Sequence, residues 1–319
     1  MTGTCAVSLI VEWDNVRFAE IARGQQMLEA LRDQVQEVPE PCEILILYNE
    51  LSIDGSHVRG ITDRVLGRTS AAVRVIPTRG LAYYQLKNEG ARLANGNILV
   101  FVDCDVVPES GWLRQLLRAF DDPAILVCAG NTYIETGGLY RDAMAVGWLM
   151  FPVRSRDGAP HPNSWFFANN VAFRRDVFTR YPFPDDVEQF RGQCYRLAQR
   201  LLADGIAIHM NPSARTAHPA PRGVGHFVRT GICEGHDRYQ FPRIAGTHEM
   251  LTFRAMVRRF WRDEARAWRS AVYRHGEAST PRVSVPAGFA AATAFYLLCF
   301  LGEVLARSAP NVVRRYFAL

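Results

Sequence analysis

The sequence predicts an α/β fold in which a mainly parallel sheet is flanked by helices and followed by a helical C-terminal region. Short runs rich in Val, Ile and Leu alternate with segments of helical periodicity in the N-terminal part of the chain, as in doubly wound sheets. The twenty residues from Val283 to Gly302 carry no charge, which indicates a long apolar helix. We therefore expect one domain over residues 1–240 and a helical region over residues 241–319.

Four strands and the helices between them open the predicted sheet. A first helix ends at Pro39 and Pro41, since proline stops a helix, and the polar stretch at Asp54-Gly55 receives no assignment. Asn95-Gly96 is the turn before the fourth strand. The predicted strands are 6–11, 42–48, 73–76 and 98–103, and the predicted helices are 17–38 and 83–94.

Further strands and helices follow at wider spacing. The segment 131–165 is rich in Gly, Pro and aromatic residues and receives no assignment. Gly205 closes a helix, and Asn211-Pro212 is expected to turn the chain after a short strand. The predicted elements are a helix to about 120, a strand at 125–130, a strand entering a helix at 169–178, a helix at 193–204 and a strand at 206–210.

Composition excludes several classes of protein. The chain has 319 residues, 48% hydrophobic and 22% charged, which is enough for a substantial core. The net charge of +5 comes without a long basic run, so nucleic acid is not an expected partner. Seven widely spaced cysteines predict neither a disulfide framework nor a zinc site and fit a reducing compartment. No secretory signal is apparent, so the expected location is the cytoplasm.

Two aspartates follow the most apolar strand. Residues Ile98–Val102 run directly into Asp103-Cys-Asp105. Carboxylates at the end of a buried strand lie where α/β sheets bind ligands. A pair at this spacing can hold Mg²⁺ or Mn²⁺ against a diphosphate, and such a metal assists departure of a phosphate leaving group. The alternative, a capping or turn pair, remains open at this point.

The C-terminal region has two unusual segments. Residues 251–275 combine seven arginines with an aromatic and aliphatic face, which suits either an anionic membrane surface or a helix packed on the domain with a solvated face. The uncharged segment, about 283–305, is long enough to span a bilayer. It could instead be a buried helix or a dimer helix. A span would keep the main domain cytoplasmic by the positive-inside tendency.

The pattern resembles family 2 glycosyltransferases with the GT-A fold, a Rossmann-like sheet, over about residues 6–235. The segment Gly80–Trp112 carries the resemblance: a glycine, the basic–Asn pair Lys87-Asn88, a small-residue turn with glycine, a strand, Asp-x-Asp and a proline shortly afterwards. The whole string in register is much more specific than the aspartate pair alone. The resemblance therefore disfavours the capping interpretation of Asp103 and Asp105.

The resemblance implies a donor site and a metal. The ends of the first two strands should lie beside the nucleotide, although Asn49-Glu50 stands where family members have adjacent aspartates. Lys87 either approaches the diphosphate or is a helix-surface lysine. In several such enzymes a histidine at a place comparable to that of His218 completes the metal shell. The implied donor-binding residues are Glu12, Asn49, Glu50, Lys87, Asn88, Asp103 and Asp105, and the implied Mn²⁺ or Mg²⁺ ligands are Asp103, Asp105 and His218.

The acceptor side departs from the family pattern. Asn169-Asn170 resembles the acceptor segment, but Gln193-Cys194 replaces the Glu-Asp pair whose aspartate is the general base. An inverting transfer requires a group that takes the acceptor proton, and glutamine or a neutral thiol does this poorly. The carboxylates that could substitute lie shortly upstream, in a segment that could equally be a polar loop. These candidate bases are Asp185, Asp186 and Glu188.

The expected function is metal-dependent, inverting transfer of a sugar from a nucleotide-sugar donor to an acceptor hydroxyl. A glycan or lipid-linked acceptor and membrane contact at the cytoplasmic face of the inner or plasma membrane would suit the C-terminal segments. The main alternative is a catalytically degenerate module that binds nucleotide-sugar or scaffolds a partner. A nucleotidyltransferase or an aspartate phosphatase fits less well, because the first strand lacks a Gly-rich basic phosphate loop and the aspartate pair comes late.

Overall fold

A computed structural model describes residues 6–17, 21–148, 150–151, 159–186, 189–274 and 284–317. The chain divides into two compact units. The first comprises residues 1–132, 153–185 and 197–219, and the second comprises residues 133–152, 186–196 and 220–319. The predicted division into domains 1–240 and 241–319 stays a prediction.

The strands of the sheet fall into a parallel and an antiparallel half. Strands β1 to β4 are adjacent in the order β3-β2-β1-β4, and all their pairings are parallel. The sheet then continues β8-β6-β9-β5, where β4 with β8, β8 with β6 and β9 with β5 pair antiparallel. The bounds are β1 (Val7–Glu12), β2 (Cys42–Asn49), β3 (Ala72–Thr78), β4 (Ile98–Asp103), β5 (Val107–Pro108), β6 (Val127–Ile134), β7 (His161–Asn163), β8 (Asn170–Arg174) and β9 (Ile208–His218).

Eleven α-helices occur among the described residues, together with 3₁₀ turns at Asp14–Arg17, Ala119–Asp121 and His248–Leu251. Helices α1 to α4, α6 and most of α7 belong to the first unit, and the others belong to the second. The bounds are α1 (Ile21–Glu37), α2 (Gly55–Leu66), α3 (Tyr83–Leu93), α4 (Trp112–Arg118), α5 (Leu139–Gly147), α6 (Arg175–Arg180), α7 (Gln193–Ala203), α8 (Gly223–Ile244), α9 (Phe253–Arg274), α10 (Ser284–Ser308) and α11 (Pro310–Phe317).

The core of the first unit lies on both faces of the parallel strands. Both faces of β1 and β2 are buried, which is why these strands have near-continuous apolar runs in the sequence. One face packs against α1, α2 and α4. Gly90 of α3 lies so close to Ile10 of β1 that a Cβ atom there would overlap its side chain. The central strands are therefore fixed from both sides.

A buried glutamate ties the starts of three elements together. Glu43 of β2 accepts a hydrogen bond from Ser8 Oγ at 2.6 Å and from Asn95 Nδ2 at 3.0 Å, and also from the Asn95 backbone amide. Burial raises the pKa of the Glu43 carboxyl, but these hydrogen bonds outweigh it, so the net pKa is lowered. The turn predicted at Asn95-Gly96 is thus anchored to the sheet by a carboxylate.

The structure assigns one stretch that the sequence analysis leaves unassigned and corrects one prediction. Helix α2 occupies the polar stretch that begins at Asp54-Gly55, and Asp54 caps it by accepting from Ser56 N at 2.9 Å. The predicted turn at Asn211-Pro212 lies inside the eleven-residue strand β9. Proline is tolerated in a strand where its missing N–H is not needed, and Pro212 lies between the residues that pair with β7 and those that pair with β5.

The second unit is helical, and α10 is at its centre. Helix α10 packs against α5, α8, α9 and α11. It crosses α8 closely, because a Cβ atom at Gly235 would overlap the carbonyl of Cys299, and one at Gly302 would overlap the carbonyl of Ile232. Among the described helices, α10 alone is long and apolar enough to span a membrane by length and composition.

Candidate active site

Polar side chains gather at the carboxyl edge of the parallel strands. The register places Glu12, the last residue of β1, directly opposite Asp103, the last residue of β4. Asn49 ends β2 opposite Thr78 of β3. Because the carboxyl ends of parallel strands form the crevice where α/β sheets bind ligands, this edge is the candidate site.

Asp103 is held by three side chains from two segments. Lys87 Nζ of α3 lies 2.5 Å from Asp103 Oδ1, and Tyr83 OH lies 2.9 Å from Oδ1 and 2.7 Å from Oδ2. Asn15 Nδ2 donates to Oδ2 at 3.0 Å, and the Asn15 amide in turn donates to Glu12 Oε1 at 2.9 Å. Both Asp103 oxygens therefore accept hydrogen bonds within the protein, which fixes the carboxylate in one orientation.

Lys87 is not a helix-surface lysine. Its side chain has no solvent exposure, and its ammonium lies 4.8 Å from the centroid of the Tyr83 ring. A buried ammonium requires a charged partner and hydrogen bonds, and Asp103 supplies both.

The loop after β4 is tied to the end of β9 by an arginine. Arg23 donates from Nε to the Asp105 carbonyl at 2.6 Å and from Nη2 to the Ala217 carbonyl at 2.7 Å. Since Val107 of β5 pairs with Ala217, the backbone brings His218 to the same edge as Asp105. His218 Nδ1 lies 2.7 Å from the carbonyl oxygen of Pro219. A carbonyl only accepts, so this nitrogen carries the proton and Nε2 is left as a potential metal ligand.

The side chains that could ligate a metal here suit a hard divalent ion that takes only part of its coordination from the protein. Among the residues that the structure describes, no three His, Cys, Asp or Glu side chains converge as a ready-made metal cluster. Mg²⁺ and its relatives commonly use one or two carboxylates and complete their shell with phosphate oxygens and water. Asp105, buried at the strand exit, and His218 fit such a partial set. Asp103 is already bound by three side chains, so it fits the role of a residue that supports this ligand set.

The cysteine between the two aspartates is expected to be unreactive. Cys104 is fully buried, and burial, with the nearby Glu12, Asp105 and Asp103 carboxylates, raises its thiol pKa well above the ordinary value. A neutral thiol neither attacks nor ligates a metal readily. The chemistry of this segment therefore belongs to the carboxylates.

The end of β2 is joined to the loop after β3. Asn49 Oδ1 accepts from the backbone amides of Leu51 and Gly80, both at 3.1 Å. Glu50 has an exposed side chain, and its amide donates to the Thr78 carbonyl at 2.9 Å. Asn49 thus shapes the loop through its oxygen, whereas the Glu50 carboxylate is presented to solvent.

Asn88 binds the backbone of the protein itself. Its Nδ2 donates to the Phe183 carbonyl at 2.8 Å, and its Oδ1 accepts from the Phe183 amide at 3.1 Å. Gln85 Nε2 also lies 3.4 Å from the Asp185 carbonyl. The basic–Asn pair of α3 thus has two structural tasks: Lys87 fixes Asp103, and Asn88 fixes the loop that carries Asp185.

Asn170 is the centre of a buried polar network. Its Oδ1 accepts from Trp112 Nε1 at 2.8 Å, and its Nδ2 donates to the Ala214 carbonyl and to Thr216 Oγ1, both at 3.1 Å. Asn169 Oδ1 accepts from Thr132 Oγ1 at 3.1 Å. The network links the antiparallel strands, so Asn170 has a structural role in the sheet.

The remaining sequence-predicted residues belong to the second unit. Asp186 is exposed and forms an ion pair with Arg196 at 2.6 Å. Gln193 is the first residue of α7 and donates from Nε2 to the Gln189 carbonyl at 2.9 Å, and Cys194 Sγ lies 3.7 Å from the Arg191 carbonyl. Glu188 lies outside the described residues.

A carboxylate that the sequence did not single out holds the segment before α7. Asp237 of α8 is buried and accepts hydrogen bonds from the backbone amides of Phe190 at 2.6 Å, Arg191 at 2.6 Å and Gly192 at 2.8 Å. The sequence gives no signal for this contact, because more than forty positions separate Asp237 from the loop. By contrast, Tyr83 could have been recognised from the sequence as a neighbour of Lys87 in the site. It precedes Lys87 by four residues and lies on the same face of α3.

Solved structures with the same fold are glycosyltransferases. A mannosyltransferase from Pyrobaculum calidifontis in complex with GDP-Man and Mn²⁺ has a TM-score of 0.58 at 16% identity, over 96% of this chain and 87% of its own. GalNAc-T7 with UDP, GalNAc and Mn²⁺ has a TM-score of 0.53 at 12% identity, over 100% of this chain and 59% of its own. TarS from S. aureus has a TM-score of 0.50 at 14% identity, over 96% and 73%.

The strand order and the carboxyl-edge site, together with these likenesses, define the class: the chain has the GT-A fold of nucleotide-sugar glycosyltransferases. The sequence model described as Glycosyl transferase family 2 matches residues 25–181. The predicted fold and the resemblance to that family are thereby confirmed. A search of curated proteins finds no significant match.

Proposed function

We propose that the chain transfers a sugar from a nucleotide-sugar donor to an acceptor hydroxyl, with a divalent metal and with inversion at the anomeric carbon. The observation that carries the proposal is the Asp103–Asp105 pair at the carboxyl edge of a family 2 sheet, with Asp103 locked in place by Lys87, Tyr83 and Asn15. Such a preorganised acidic site suits a ligand that combines diphosphate with a cation.

Each residue has a distinct task in this proposal. Asp105 and His218 would hold Mn²⁺ or Mg²⁺, and Asp103 would orient the site from its fixed position. When bound, the metal supplies charge neutralisation at the leaving diphosphate. The exit of β2 would take the nucleoside, with the Asn49 oxygen shaping the loop and the exposed Glu50 contacting the base or ribose. Because both substrates must be held in near-attack geometry, positioning contributes much of the rate.

The general base is proposed among the carboxylates upstream of α7. Asp185 has an exposed side chain on the loop that Asn88 fixes, which supports it as the first candidate. The Asp186 carboxylate already forms an ion pair with Arg196 at 2.6 Å, so it is the second candidate. If Asp185 is the base, Asp185→Asn lowers kcat by a factor of about 10²–10⁴ while donor affinity stays unchanged. If Asp185→Asn is as active as the wild type, Asp185 is not the general base and Asp186 or Glu188 becomes the candidate.

A glycan or lipid-linked acceptor of the cell envelope, met at the cytoplasmic face of a membrane, is part of the proposal. The arginine-rich helix α9 and the apolar helix α10 support it, because both suit contact with lipid. Transfer of a hexose, the expected activity, is distinguished from transfer of another sugar by product analysis rather than by the fold.

A donor-binding module without catalysis is the second candidate, and Gln193-Cys194 in place of the family's Glu-Asp pair favours it. The deciding experiment has two stages. Thermal unfolding is first measured with GDP, UDP and their sugar conjugates, each with and without Mn²⁺. A ligand at a hundredfold excess over its dissociation constant should stabilise the protein by about 2.7 kcal/mol. Asp105→Asn should abolish the metal-dependent part, and the exposed Asp33→Asn in α1 should not.

Release of nucleoside diphosphate from the stabilising conjugate is then measured. Release above the Asp105→Asn background supports the transferase, and binding without release supports the module. If none of the conjugates stabilises the protein in a metal-dependent way, both the transferase and the donor-binding module are contradicted.

A further inference from the structure

Helix α9 keeps its carboxylates on the buried face and presents most of its arginines on the exposed face. Its only carboxylates, Asp263 and Glu264, are buried. Asp263 accepts from Arg238 Nη1 of α8 at 2.7 Å, and Glu264 accepts from Thr293 Oγ1 of α10 at 3.0 Å. The exposed face carries five arginines: Arg254, Arg258, Arg262, Arg266 and Arg269.

This arrangement is the reverse of an ordinary solvated helix, where exposed acids and bases alternate as i,i+4 pairs. Among the α9 side chains that the structure describes, the outward face has no exposed carboxylate. Arg262 reaches the buried Asp263 from outside at 3.3 Å, and Arg269 Nε donates to the Ala265 carbonyl at 3.2 Å. The face is therefore strongly positive, and its counter-charge must come from another molecule or from solution ions.

Aromatic side chains border the arginines on the same helix. Trp261 is 66% exposed, Trp268 is 53% exposed and Phe253 is 55% exposed. At 100° per residue these three lie on one side of the outward face, and the arginines lie on the other. Tryptophan beside arginine on an exposed helix is the composition that settles at the boundary between lipid headgroups and acyl chains.

The apolar side of this surface continues onto α10. The Trp268 and Phe289 ring centroids are 5.2 Å apart, and those of Phe253 and Phe300 are 5.8 Å apart. Beyond these rings, α10 presents an exposed apolar stripe of Pro286, Ala290, Ala294, Leu297 and Leu301. Leu297 is 51% exposed and Leu301 is 46% exposed. The two helices thus form one amphipathic surface, the α9–α10 face.

Helix α10 is held in the second unit by polar contacts that a membrane span would not make. Glu303 is buried and forms an ion pair with Arg259, the inward-facing arginine of α9. The glycine crossing places α10 directly against α8, a helix that carries Glu234, Asp237 and several arginines. Among the described α10 side chains from Pro286 to Leu301, a single stripe is exposed, so the length and apolar composition of the helix do not require it to cross a bilayer.

We propose that the α9–α10 face docks the protein on the surface of an anionic lipid bilayer, with α10 lying along the interface and not spanning it. This inference names the surface that would make the membrane contact proposed above, and it does not depend on donor binding. Arginines match anionic headgroups, while the tryptophans and the α10 stripe match the acyl boundary. A symmetric second copy would set one arginine row near another, which disfavours that occupant.

The test uses the full chain and vesicles sedimented with it. One set contains phosphatidylcholine alone, and the other contains phosphatidylcholine with about one third phosphatidylglycerol. Binding is expected only to the anionic set. Arg258→Glu with Arg262→Glu should lower the partition coefficient at least about tenfold, because each arginine at an anionic surface contributes about fivefold. Arg64→Glu with Arg68→Glu, an equal charge change at exposed positions at the end of α2 and just beyond it, is the matched control and should not.

A second variant tests the apolar half. Trp261→Ser with Trp268→Ser should also reduce binding to anionic vesicles, with thermal unfolding showing that the fold is kept. Three results overturn the proposal: no binding to either vesicle, equal binding to both, or protein that resists an alkaline carbonate wash as a spanning helix would. A change of oligomeric state in the arginine variant without vesicle binding assigns the face to a second copy and also overturns it.

Discussion

The ammonium nitrogen of Lys87, the only lysine in the chain, lies 2.5 Å from Oδ1 of Asp103, and both side chains are buried. Breaking a buried ion pair from one side leaves an uncompensated charge. Lys87→Met should therefore lower the free energy of unfolding by about 3–5 kcal/mol. Urea denaturation measures the effect, and the double variant with Asp103→Asn should recover part of it through a coupling energy. Additive losses in the two single variants would show that the contact contributes no coupling.

Removing the Asp237 carboxylate should loosen the segment before α7. Asp237→Ala leaves three backbone amides without their acceptor, so we expect a loss of about 2–3 kcal/mol and faster hydrogen exchange at residues 190–192. Mass-spectrometric hydrogen exchange on peptides covering this segment measures the second effect. Glu234→Gln, on the same helix but at a partly exposed ion pair with Arg238, is the control and should change neither quantity much. Unchanged exchange in Asp237→Ala would contradict the clamp.

The Glu43 carboxylate should make stability depend on pH. Its pKa is lowered in the folded state from an ordinary value of 4.5, so its contribution is fully present above that value and is lost as pH falls through the lower folded value. Glu43→Gln should destabilise the protein by about 1–3 kcal/mol near neutral pH, and the difference from the wild type should shrink in acid. Urea unfolding at several pH values measures this. Asp33→Asn serves as the exposed control, and a pH-independent difference would count against the assignment.

The close crossing of α8 and α10 should not tolerate a methyl group. In Gly235→Ala the added Cβ meets the backbone of α10 at Cys299, and such overpacking costs about 1–3 kcal/mol. Gly225→Ala, on the same helix with open space around the added atom, should be neutral or slightly stabilising. Thermal unfolding of both variants gives the comparison. Equal melting temperatures would indicate that the two helices can move apart freely.

Cys104 should resist alkylation in the folded protein. Its pKa is raised by burial and by the surrounding carboxylates, and the thiolate is the reactive form. With iodoacetamide at about pH 8, near the ordinary thiol pKa, peptide mass spectrometry should find Cys42 and Cys194 labelled well before Cys104. Both of these thiols are partly exposed. Labelling of Cys104 as fast as Cys42 would mean that the strand exit opens readily.

The sequence predicted the parallel half of the sheet well because those strands are buried on both faces and appear as unbroken apolar runs. Helix α2 was missed because Gly55 and Gly60 interrupt its helical pattern, although Asp54 before it is a good cap. The stripe formed by Val58, Ile61 and Val65 was the available signal.

The site was predicted only as far as local pattern reaches. The aspartate pair was found because it directly follows its strand. The partners of Asp103 depend on how α3 packs against β1 and β2, and the Arg23 contacts join positions that are 82 and 194 residues apart. No local pattern encodes such distances. Asn88 and Asn170 were found as positions, but their amides bind the protein's own backbone, which only the fold shows.

The pairing of Lys87 with Asp103 also sets the electrostatic balance of the strand exit. One of the two aspartate charges is cancelled by the buried ammonium, so the doublet presents a single net negative charge. A dication there would leave a surplus of one positive charge facing an anionic donor, where an uncompensated doublet would leave none. In the proposed donor complex, the lone lysine would therefore strengthen the attraction between the metal-loaded crevice and the pyrophosphate.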